Sequence, residues 1–342
     1  MSEPPKPSGA VVTGYERMAG VSGLTRPRVK AVSRDISVDV VKIIDLAEDV
    51  VGLTLEAPDG RDLPPWRAGA HLDVILPSGT VRQYSLCGNP ARRDQYRIAV
   101  RRIPAEHGGA GGSLEVHALT IGTRITLRGP RNAFAFITVP RYLFVAGGIG
   151  ITPILPMVRT AISRGADWAL VYTGRTRDSM AFVDELDALD PARVHIWPDD
   201  EYGIPDGKKI LSLAPEGAAL YTCGPPAMIA TIRAEVPSER IETLHFERFS
   251  AAPVIGGTAF DIVLSSTGET VHVGADQTAL AALREVRPAI AYSCQQGSCG
   301  TCPVRYLDGE IEHKDSCLPD AARSRQVAIC VSRANGTVTL DL

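Results

Sequence analysis

The stretch CQQGSCGTC, residues 294–302, places three cysteines close together in a chain that has seven cysteines among 342 residues. Cys294, Cys299 and Cys302 follow a C-x4-C-x2-C pattern, and Cys330 follows later in the chain. This is the ligand spacing of a plant-type [2Fe-2S] cluster. Such a cluster takes three thiolates from one tight loop and the fourth from a separate part of the fold. The sequence therefore predicts that these four cysteines hold two irons.

Two glycines and a zinc alternative bear on this interpretation. Gly297 and Gly300 are expected to let the loop curl and to bring backbone N–H groups close to the sulfurs. Zinc could instead be held with help from Cys317 and His313, but zinc sites favour two short cysteine pairs, and no second pair surrounds Cys330. Cys317 is most simply a free thiol. A [2Fe-2S] cluster remains the favoured interpretation.

The size and composition of the chain are those of a globular protein with several domains. Single cores stop growing at roughly 250–300 residues, so 342 residues predict two or three domains. Charged residues make up 22% and the net charge is -3, which gives no reason to expect a nucleic-acid partner. No basic and apolar signal pattern opens the sequence, so we expect a cytoplasmic protein with reduced thiols.

A membrane span is not expected either. The longest uncharged run, residues 142–158, falls short of the roughly 18 residues that indicate a span. It also contains three glycines and two prolines. We interpret it as a buried strand, a loop and the start of a helix.

The C-terminal part reads as a small α+β domain. Residues 259–266 and 269–273 are β-rich and separated by a Thr-Gly turn, which predicts a hairpin. TALAALREV then places apolar residues near helical spacing. Residues 258–342 resemble the β-grasp of plant-type ferredoxins. Gly256 and Gly257 mark a predicted linker over residues 250–257.

The N-terminal half reads as a small antiparallel barrel. HLDVILPSG (71–79), VRQYSLCG (81–88) and YRIAVRRI (96–103) are strand-like and separated by turn residues, so we predict a β-barrel within residues 36–139. GGAGGSLEVHAL then supplies a glycine-rich loop that enters a possible helix near Ser113. The first amides of such a helix could hold a phosphate.

Between these parts, strand-like and helix-like segments alternate, which predicts a doubly wound parallel sheet over residues 140–249. RYLFVAGGIGITPILPMV reads as a strand over 141–146, a glycine turn and a helix with Pro153 in its first turn. The turn does not complete G-x-G-x-x-G, because Pro153 occupies the place of the third glycine. Ligands in such sheets bind at the carboxyl ends of strands, where this turn and Cys223-Gly224-Pro225 fall.

Here the sequence resembles a known family. Arg82-x-Tyr84-Ser85 matches the RxYS flavin motif of the ferredoxin-reductase superfamily. The order of barrel, nucleotide domain and ferredoxin domain resembles the phthalate dioxygenase reductase family from about residue 36 to the end. The resemblance implies three cofactors: FMN, NADH and the [2Fe-2S] cluster.

The resemblance also implies which residues bind them. FMN is expected at Arg82, Gln83, Tyr84, Ser85, Ala99, Val100, Arg101, Gly111, Gly112 and Ser113. The nucleotide is expected at Gly147, Gly148, Gly150, Thr152, Pro153, Cys223, Gly224 and Pro225. Glu247 and Phe249 match a segment whose aromatic lies near the flavin, although such an aromatic is more often a core residue. Cys223, by the nicotinamide, and Ser85, by the flavin, are the expected catalytic residues; the alternative for Cys223 is a buried small hydrophobe.

Two points set this chain apart or leave a choice open. The family pattern R-G-G-S becomes Ala110-Gly111-Gly112-Ser113, so a charge-assisted phosphate contact is missing. We therefore expect weaker FMN retention, which Ala110→Arg should tighten. Arg175 and Arg177 could reach the 2'-phosphate of NADPH, but solvated loop arginines are the simpler explanation and the resemblance favours NADH.

The predicted function is that of an oxygenase reductase. Hydride passes from NADH to the flavin, and single electrons then pass through the cluster to a terminal Rieske-type oxygenase. A haem-thiolate monooxygenase is the alternative acceptor, and a redox-sensing or binding protein is the alternative of another class. We expect a monomer with a flexible extension over residues 1–35. The sequence does not record the organic substrate of the oxygenase.

Overall fold

The computed structural model describes residues 35–107, 109, 111–249, 254–288, 290–292, 294–297 and 299–342. The predicted extension, residues 1–35, lies outside this part of the chain except for Asp35, as do Ala110 and residues 250–253 of the predicted linker. Three sheets occupy the described residues.

The first sheet contains six strands and is antiparallel throughout. The strands are β1 (Ile36–Ala47), β2 (Val50–Glu56), β3 (Ala70–Ile75), β4 (Val81–Ser85), β5 (Gln95–Arg101) and β6 (Arg124–Asn132), in the order β4-β3-β6-β1-β2-β5. The two edges meet, because the amide of Cys87, just beyond β4, donates to the carbonyl of Arg97 in β5 at 2.9 Å. The predicted barrel is confirmed.

The barrel has a short helical insertion and a conventional core. A 3-10 helix (Ala105–His107) and helix α1 (Gly112–His117) lie between β5 and β6. Alternate residues of β1, Ile36, Val38 and Val40, point into the interior and are buried, as expected for a strand with one covered face.

The second sheet is parallel, with both faces covered. Its strands are β7 (Arg141–Gly147), β8 (Asp167–Gly174), β9 (Val194–Pro198), β10 (Ala219–Cys223) and β11 (Leu244–Glu247), in the order β11-β10-β7-β8-β9. Along β7, Tyr142 and Phe144 lie in one apolar core, whereas Leu143 and Val145 lie in another. The continuous apolar run arises because helices pack on both faces, which confirms the doubly wound fold.

The helices of this part are short except for the first. They are α2 (Ile151–Ser163), α3 (Val183–Asp187), α4 (Asp199–Tyr202), α5 (Gly207–Leu211) and α6 (Pro226–Glu235), with 3-10 turns at Gly148–Gly150, Arg177–Ser179 and Ser238–Thr243. Pro153 lies in the first turn of α2, where its missing N–H has no intrahelical role. No helix in the described part of the chain is both long and apolar enough to cross a membrane.

The third sheet is mixed and forms the predicted β-grasp. Its strands are β12 (Phe260–Leu264), β13 (Thr270–Val273), β14 (Pro303–Glu312), β15 (Gln326–Ala328) and β16 (Arg333–Leu340), in the order β13-β12-β16-β14-β15, with helices α7 (Ala279–Val286) and α8 (Asp320–Arg323). Only the β12–β16 pair is parallel. Thr278 caps α7 by accepting from the amide of Ala281 at 3.1 Å. Leu280 and Leu283 of α7 are buried in the core of this sheet.

The barrel and the parallel sheet share one core. Val50 and Ala99 of the barrel lie in the same apolar cluster as Met157 and Phe182. Cys87 belongs to this cluster, where burial raises the pKa of its thiol to about 12 and its Sγ lies 3.4 Å from the carbonyl oxygen of Arg97. Cys87 is therefore a structural thiol. The three sheets fall within the three predicted domain ranges, whose boundaries stay predictions.

Candidate functional site

A cavity of about 250 Å³ opens beside the RxYS strand. It is lined by Arg82, Gln83, Tyr84, Ser85, Ala99, Val100, Arg101, Ile103, Gly109, Gly112, Ser113, Ile149, Thr152 and Phe249. The structure thus gathers most of the residues predicted for FMN, together with Thr152 and Phe249, around one concave site. Gly111 adjoins it as the residue before α1.

The loop before α1 leaves room for the side chain of Arg82. Gly111 has φ 78°, in the left-handed region that favours glycine. A Cβ on Gly112 would lie 2.5 Å from Nε of Arg82, so the missing side chain lets the guanidinium cross the start of α1. Ser113 Oγ accepts from the amide of Ile103 at 3.0 Å, which ties the loop to the end of β5. A cationic group and polar atoms thus lie together at the predicted phosphate position.

The other end of the RxYS motif is less polar. Burial raises the pKa of Tyr84 to about 12, so its hydroxyl stays protonated and can donate a hydrogen bond. Ser85 is buried and is paired in register with His71 of β3. Burial, reinforced by the charge of Arg131, lowers the pKa of His71 to about 4, so this imidazole is neutral at physiological pH.

The nucleotide turn lies against the same cavity. Ile149 and Thr152 line it, and a Cβ on Gly148 would be 3.6 Å from Nη1 of Arg101. The predicted nucleotide residues therefore approach the predicted flavin residues. Pro153 is buried in the first turn of α2.

Glycines allow the carboxyl ends of β7 and β10 to approach each other. A Cβ on Gly150 would lie 2.2 Å from the carbonyl oxygen of Cys223, and one on Gly224 would lie 2.9 Å from backbone atoms of Gly147. A Cβ on Gly147 would lie 2.6 Å from Cδ of Pro225. The spacing of these glycines allows the two strand ends to pack closely. A complete G-x-G-x-x-G fingerprint is not needed for this packing.

Cys223 is fully buried at the end of β10. Burial first, and then the charge of Glu247, raise the pKa of its thiol well above the ordinary value. The group is therefore an uncharged thiol. It can pack against a flat ring, but it is not an activated nucleophile.

A second cavity of about 50 Å³ lies between the flavin motif and the cysteine loop. Its lining residues are His71, Gln83, Ser85, Glu247, Arg248, Phe249, Cys294 and Gln295. Phe249 is 51% exposed and lines both cavities, so it is a surface aromatic and not a core residue. Burial, and then the charge at Cys294, raise the pKa of Glu247 to about 8.

Two glutamine amides join the cysteine loop to this region. Nε2 of Gln83 donates to Oδ1 of Asp73 at 2.9 Å and to the carbonyl of Tyr292 at 3.3 Å. Nε2 of Gln296 donates to the carbonyl of Arg248 at 3.0 Å. Residues on both sides of Cys294 are thereby fastened beside the flavin motif.

The four predicted cluster ligands are arranged as two pairs. Cys302 Sγ and Cys330 Sγ lie 3.0 Å apart, and the side chains of Cys294 and Cys299 share a hydrogen bond. Cys294 also lies within electrostatic range of the Cys302–Cys330 pair. The four cysteines fit a [2Fe-2S] cluster, in which each of two irons takes two protein ligands.

The backbone of the loop turns its amides toward these sulfurs. The amide of Gln296 donates to Cys294 Sγ at 3.4 Å, and the backbone of Gly297 lies close to Cys330 Sγ. Gln295, Gly297 and Gly300 have φ of 54°, 73° and 69°. The two glycines have the left-handed conformation expected to let the loop curl, and Gln295 shares it. Amide hydrogen bonds of this kind tune an iron–sulfur centre.

His313 and Cys317, the two residues of the zinc alternative, both contact Asp315. His313 is engaged elsewhere, with Nδ1 3.4 Å from Oδ1 of Asp315 and Nε2 3.0 Å from the carbonyl of Arg323. Cys317 Sγ donates to Oδ2 of Asp315 at 3.8 Å.

Comparison with known families agrees with this geometry. Residues 144–234 match the oxidoreductase NAD-binding domain, and residues 262–335 match the 2Fe-2S iron-sulfur cluster binding domain. The solved structure of phthalate dioxygenase reductase is 33% identical with a TM-score of 0.66, over 90% of this chain and 98% of that one. The chain belongs to the phthalate dioxygenase reductase family. The solved protein is modular and transfers electrons from pyridine nucleotides to [2Fe-2S].

Two further relatives extend the family comparison. The vanillate O-demethylase oxidoreductase of Pseudomonas sp. (strain HR199 / DSM 7063) is 39% identical over 87% of this chain and 96% of its own length. An intact type IV self-sufficient cytochrome P450 monooxygenase is 37% identical with a TM-score of 0.71 over 90% of this chain. This chain spans only 41% of that P450 chain.

Some residues that line the two cavities were not predicted from the sequence. Ile103, Gly109 and Ile149 line the larger cavity, and His71, Arg248 and Gln295 line the smaller one. Each of them lies near a motif residue in the chain or across a strand pair, but none has a chemistry that singles it out. The predicted effect of Ala110 on FMN retention falls outside the described residues and stays a prediction.

Proposed function

We propose that this chain is the reductase of a multicomponent oxygenase and moves electrons from NADH through FMN and a [2Fe-2S] cluster to a terminal Rieske-type oxygenase. The observation that best supports this proposal is the small cavity that Ser85, Phe249 and Cys294 line together. It makes the predicted flavin site and the cysteine loop immediate neighbours.

The chain's own residues have separate tasks in this proposal. Arg82 and Ser113 hold the FMN phosphate, Tyr84 and Ser85 hold the ring system, and the backbone of β5 lies alongside. FMN, when bound, supplies the conversion between a two-electron donor and a one-electron acceptor. Cys294, Cys299, Cys302 and Cys330 ligate the irons.

The glycine turn and the end of β10 hold the nucleotide in this proposal. Gly147, Gly150 and Gly224 keep the backbone open, and the uncharged thiol of Cys223 packs by the nicotinamide. Phe249, which is 51% exposed and lines both cavities, would lie at the edge of the flavin.

NADH is the proposed nucleotide. Arg177 donates from Nη2 to Oδ2 of Asp187 at 2.6 Å, so its guanidinium is already engaged. Arg175, on the same loop, is exposed. We expect a higher steady-state kcat/KM with NADH than with NADPH, and a preference for NADPH would overturn this assignment.

The Rieske-type acceptor is favoured over a haem-thiolate monooxygenase. The likeness to the self-sufficient P450 supports the second acceptor, because 90% of this chain aligns with part of that enzyme. Reconstitution with each class of terminal oxygenase, with NADH oxidation coupled to product formation as the readout, decides between them. A cytoplasmic, monomeric protein stays a prediction; the free cysteines fit a reducing compartment.

The test of the electron route uses Cys299→Ser. Wild type is expected to reduce cytochrome c rapidly with NADH, whereas Cys299→Ser should retain flavin and flavin reduction but lose cytochrome c reduction. Cys317→Ser, outside the proposed ligand set, serves as the matched control and should keep cytochrome c reduction. Unchanged cytochrome c reduction in Cys299→Ser would contradict the route, and it would favour a sensing or binding role for the C-terminal domain.

A further inference from the structure

A buried carboxylate lies behind the cysteine loop. Asp315 is buried, and its side chain is 0% exposed. A buried charge is costly unless hydrogen bonds and opposite charges compensate for it. A carboxylate on the surface would need no special explanation, but a buried carboxylate beside a metal-binding loop does.

Both oxygens of the Asp315 carboxylate have hydrogen-bonding or charged partners. Oδ1 accepts from Ser332 Oγ at 3.3 Å and lies 3.4 Å from Nδ1 of His313, and Oδ2 accepts from the amide of Leu318 at 2.9 Å. Nη2 of Arg323 lies 3.9 Å from Oδ2 and donates to the Asp315 carbonyl at 2.8 Å. Burial alone would raise the pKa of Asp315, but the Leu318 amide, His313 and Arg323 outweigh it and hold the pKa below its usual value.

The same residue contacts the loop that carries three of the ligands. The carbonyl of Gly297 accepts from the amide of Ser316 at 3.0 Å. A Cβ on Gly297 would lie 3.0 Å from Cα of Asp315, so the loop and the Asp315 segment touch. The backbone of Gly297 in turn lies close to Cys330 Sγ.

Asp315 also reaches the segment of the fourth ligand. Ser332, its hydrogen-bond donor, lies two residues beyond Cys330 in the chain and is buried. Asp315 therefore joins the two segments: its backbone region touches the back of the loop, and its carboxylate binds Ser332 beside Cys330. It does so without offering an oxygen in place of any of the four sulfurs.

We propose that Asp315 is a positioning residue for the iron–sulfur cluster, which fixes the Gly297 turn against the Cys330 segment and holds down the cluster's reduction potential through its negative charge. Net charge and hydrogen bonding near the sulfurs set the potential of such clusters. Partners behind the ligands typically change metal affinity about 10- to 100-fold when they are removed. The inference rests on the proposed function, because it needs the cluster to be bound.

The test compares Asp315→Asn with Asp320→Asn. Both carboxylates lie near Arg323, at 3.9 and 4.0 Å, but the Asp320 side chain is fully exposed. Potentiometric titration followed by electron paramagnetic resonance should show a higher cluster midpoint potential in Asp315→Asn and an unchanged one in Asp320→Asn. Iron retention against a chelator should fall about 10- to 100-fold in Asp315→Asn alone.

Ser332→Ala keeps the inference testable if Asp315→Asn does not load iron. It removes one hydrogen bond but keeps the charge, so retention should fall while the midpoint potential stays near that of wild type. An Asp315→Asn protein with a loaded cluster at the wild-type potential would overturn the inference, as would wild-type retention in Ser332→Ala. A wild-type protein without iron and sulfide would instead contradict the proposed function.

Discussion

At the scale of single residues, the conformation of the cysteine loop depends on glycine, which has no side chain. Gly297 has φ 73°, and a Cβ there would lie 2.6 Å from Cγ2 of Val331. Gly268 has a similar φ of 72°, but nothing lies within 4 Å of its hypothetical Cβ. The two positions separate the cost of the backbone conformation from the cost of crowding.

We therefore predict that Gly297→Ala is more harmful than Gly268→Ala. Both substitutions carry the left-handed backbone cost of about 1–2 kcal/mol, and Gly297→Ala adds an overpacking cost of about 1–3 kcal/mol. Thermal unfolding and iron content should both show the difference. Equal losses in the two variants, with full iron content, would contradict the packing account.

His71 gives a prediction for pH. Burial lowers the pKa of this imidazole from its ordinary value of 6.5 to about 4 in the folded protein. Between these values the unfolded chain binds the proton and the folded chain does not. Stability is therefore unaffected by His71 above about pH 6.5 and is lost as the pH falls, by about 3 kcal/mol at pH 4.

The measurement for His71 is the free energy of unfolding in urea between pH 7 and pH 4. His71→Gln should lose less stability over this range than wild type, because it removes the titrating group. Parallel curves for the two proteins would refute the assignment.

At the scale of elements, one carboxylate in α3 ties three elements together. Oε2 of Glu185 lies 3.2 Å from Nη1 of Arg97 in β5, and Oε1 contacts Arg159 in α2. The three side chains are only 23–29% exposed. Burial, and then the charge of Arg97, lower the pKa of Arg159, which shows that the two guanidinium groups repel each other.

Removing this carboxylate should loosen the contact between barrel and parallel sheet. Glu185→Gln leaves two cations facing each other in a half-buried site, so we predict a loss of about 1–3 kcal/mol in unfolding free energy. Asp94→Asn, which breaks an ion pair more than half exposed, should cost much less. Urea unfolding measures the loss of unfolding free energy in both variants. Equal losses would contradict the role of Glu185 in joining the barrel to the parallel sheet.

The sequence predicted elements best where the pattern was long or the turn chemistry clear. The apolar run at Arg141–Gly147, the helix after it and the helix capped by Thr278 were all expected and are present. The four- and five-residue helices α4, α5 and α8, the three-residue strand β15 and the longer strands β14 and β16 were not predicted. The short segments are shorter than the period that a pattern needs to show itself, and tertiary contacts decide their conformation.

At the scale of the whole molecule, three distant parts of the chain meet at one point. Ser85 comes from the barrel, Glu247 from the end of the parallel sheet and Cys294 from the ferredoxin part, and all line the same small cavity. The ligand spacing and the RxYS motif could be read from the sequence because each is local. The meeting point could not, because it depends on how Gln83 and Gln296 fasten the cysteine loop in place.

The central claim is that electrons from NADH leave through a thiolate-held two-iron cluster. The most direct measurement mixes protein, purified without air, with NADH and quantifies the reduced cluster by low-temperature electron paramagnetic resonance, alongside iron and sulfide analysis. We predict a reduced [2Fe-2S] signal in wild type that is absent from Cys299→Ser, although the flavin of both proteins is bleached. A flavin that bleaches in wild type without any such signal, or zinc in place of iron and sulfide, would contradict the account.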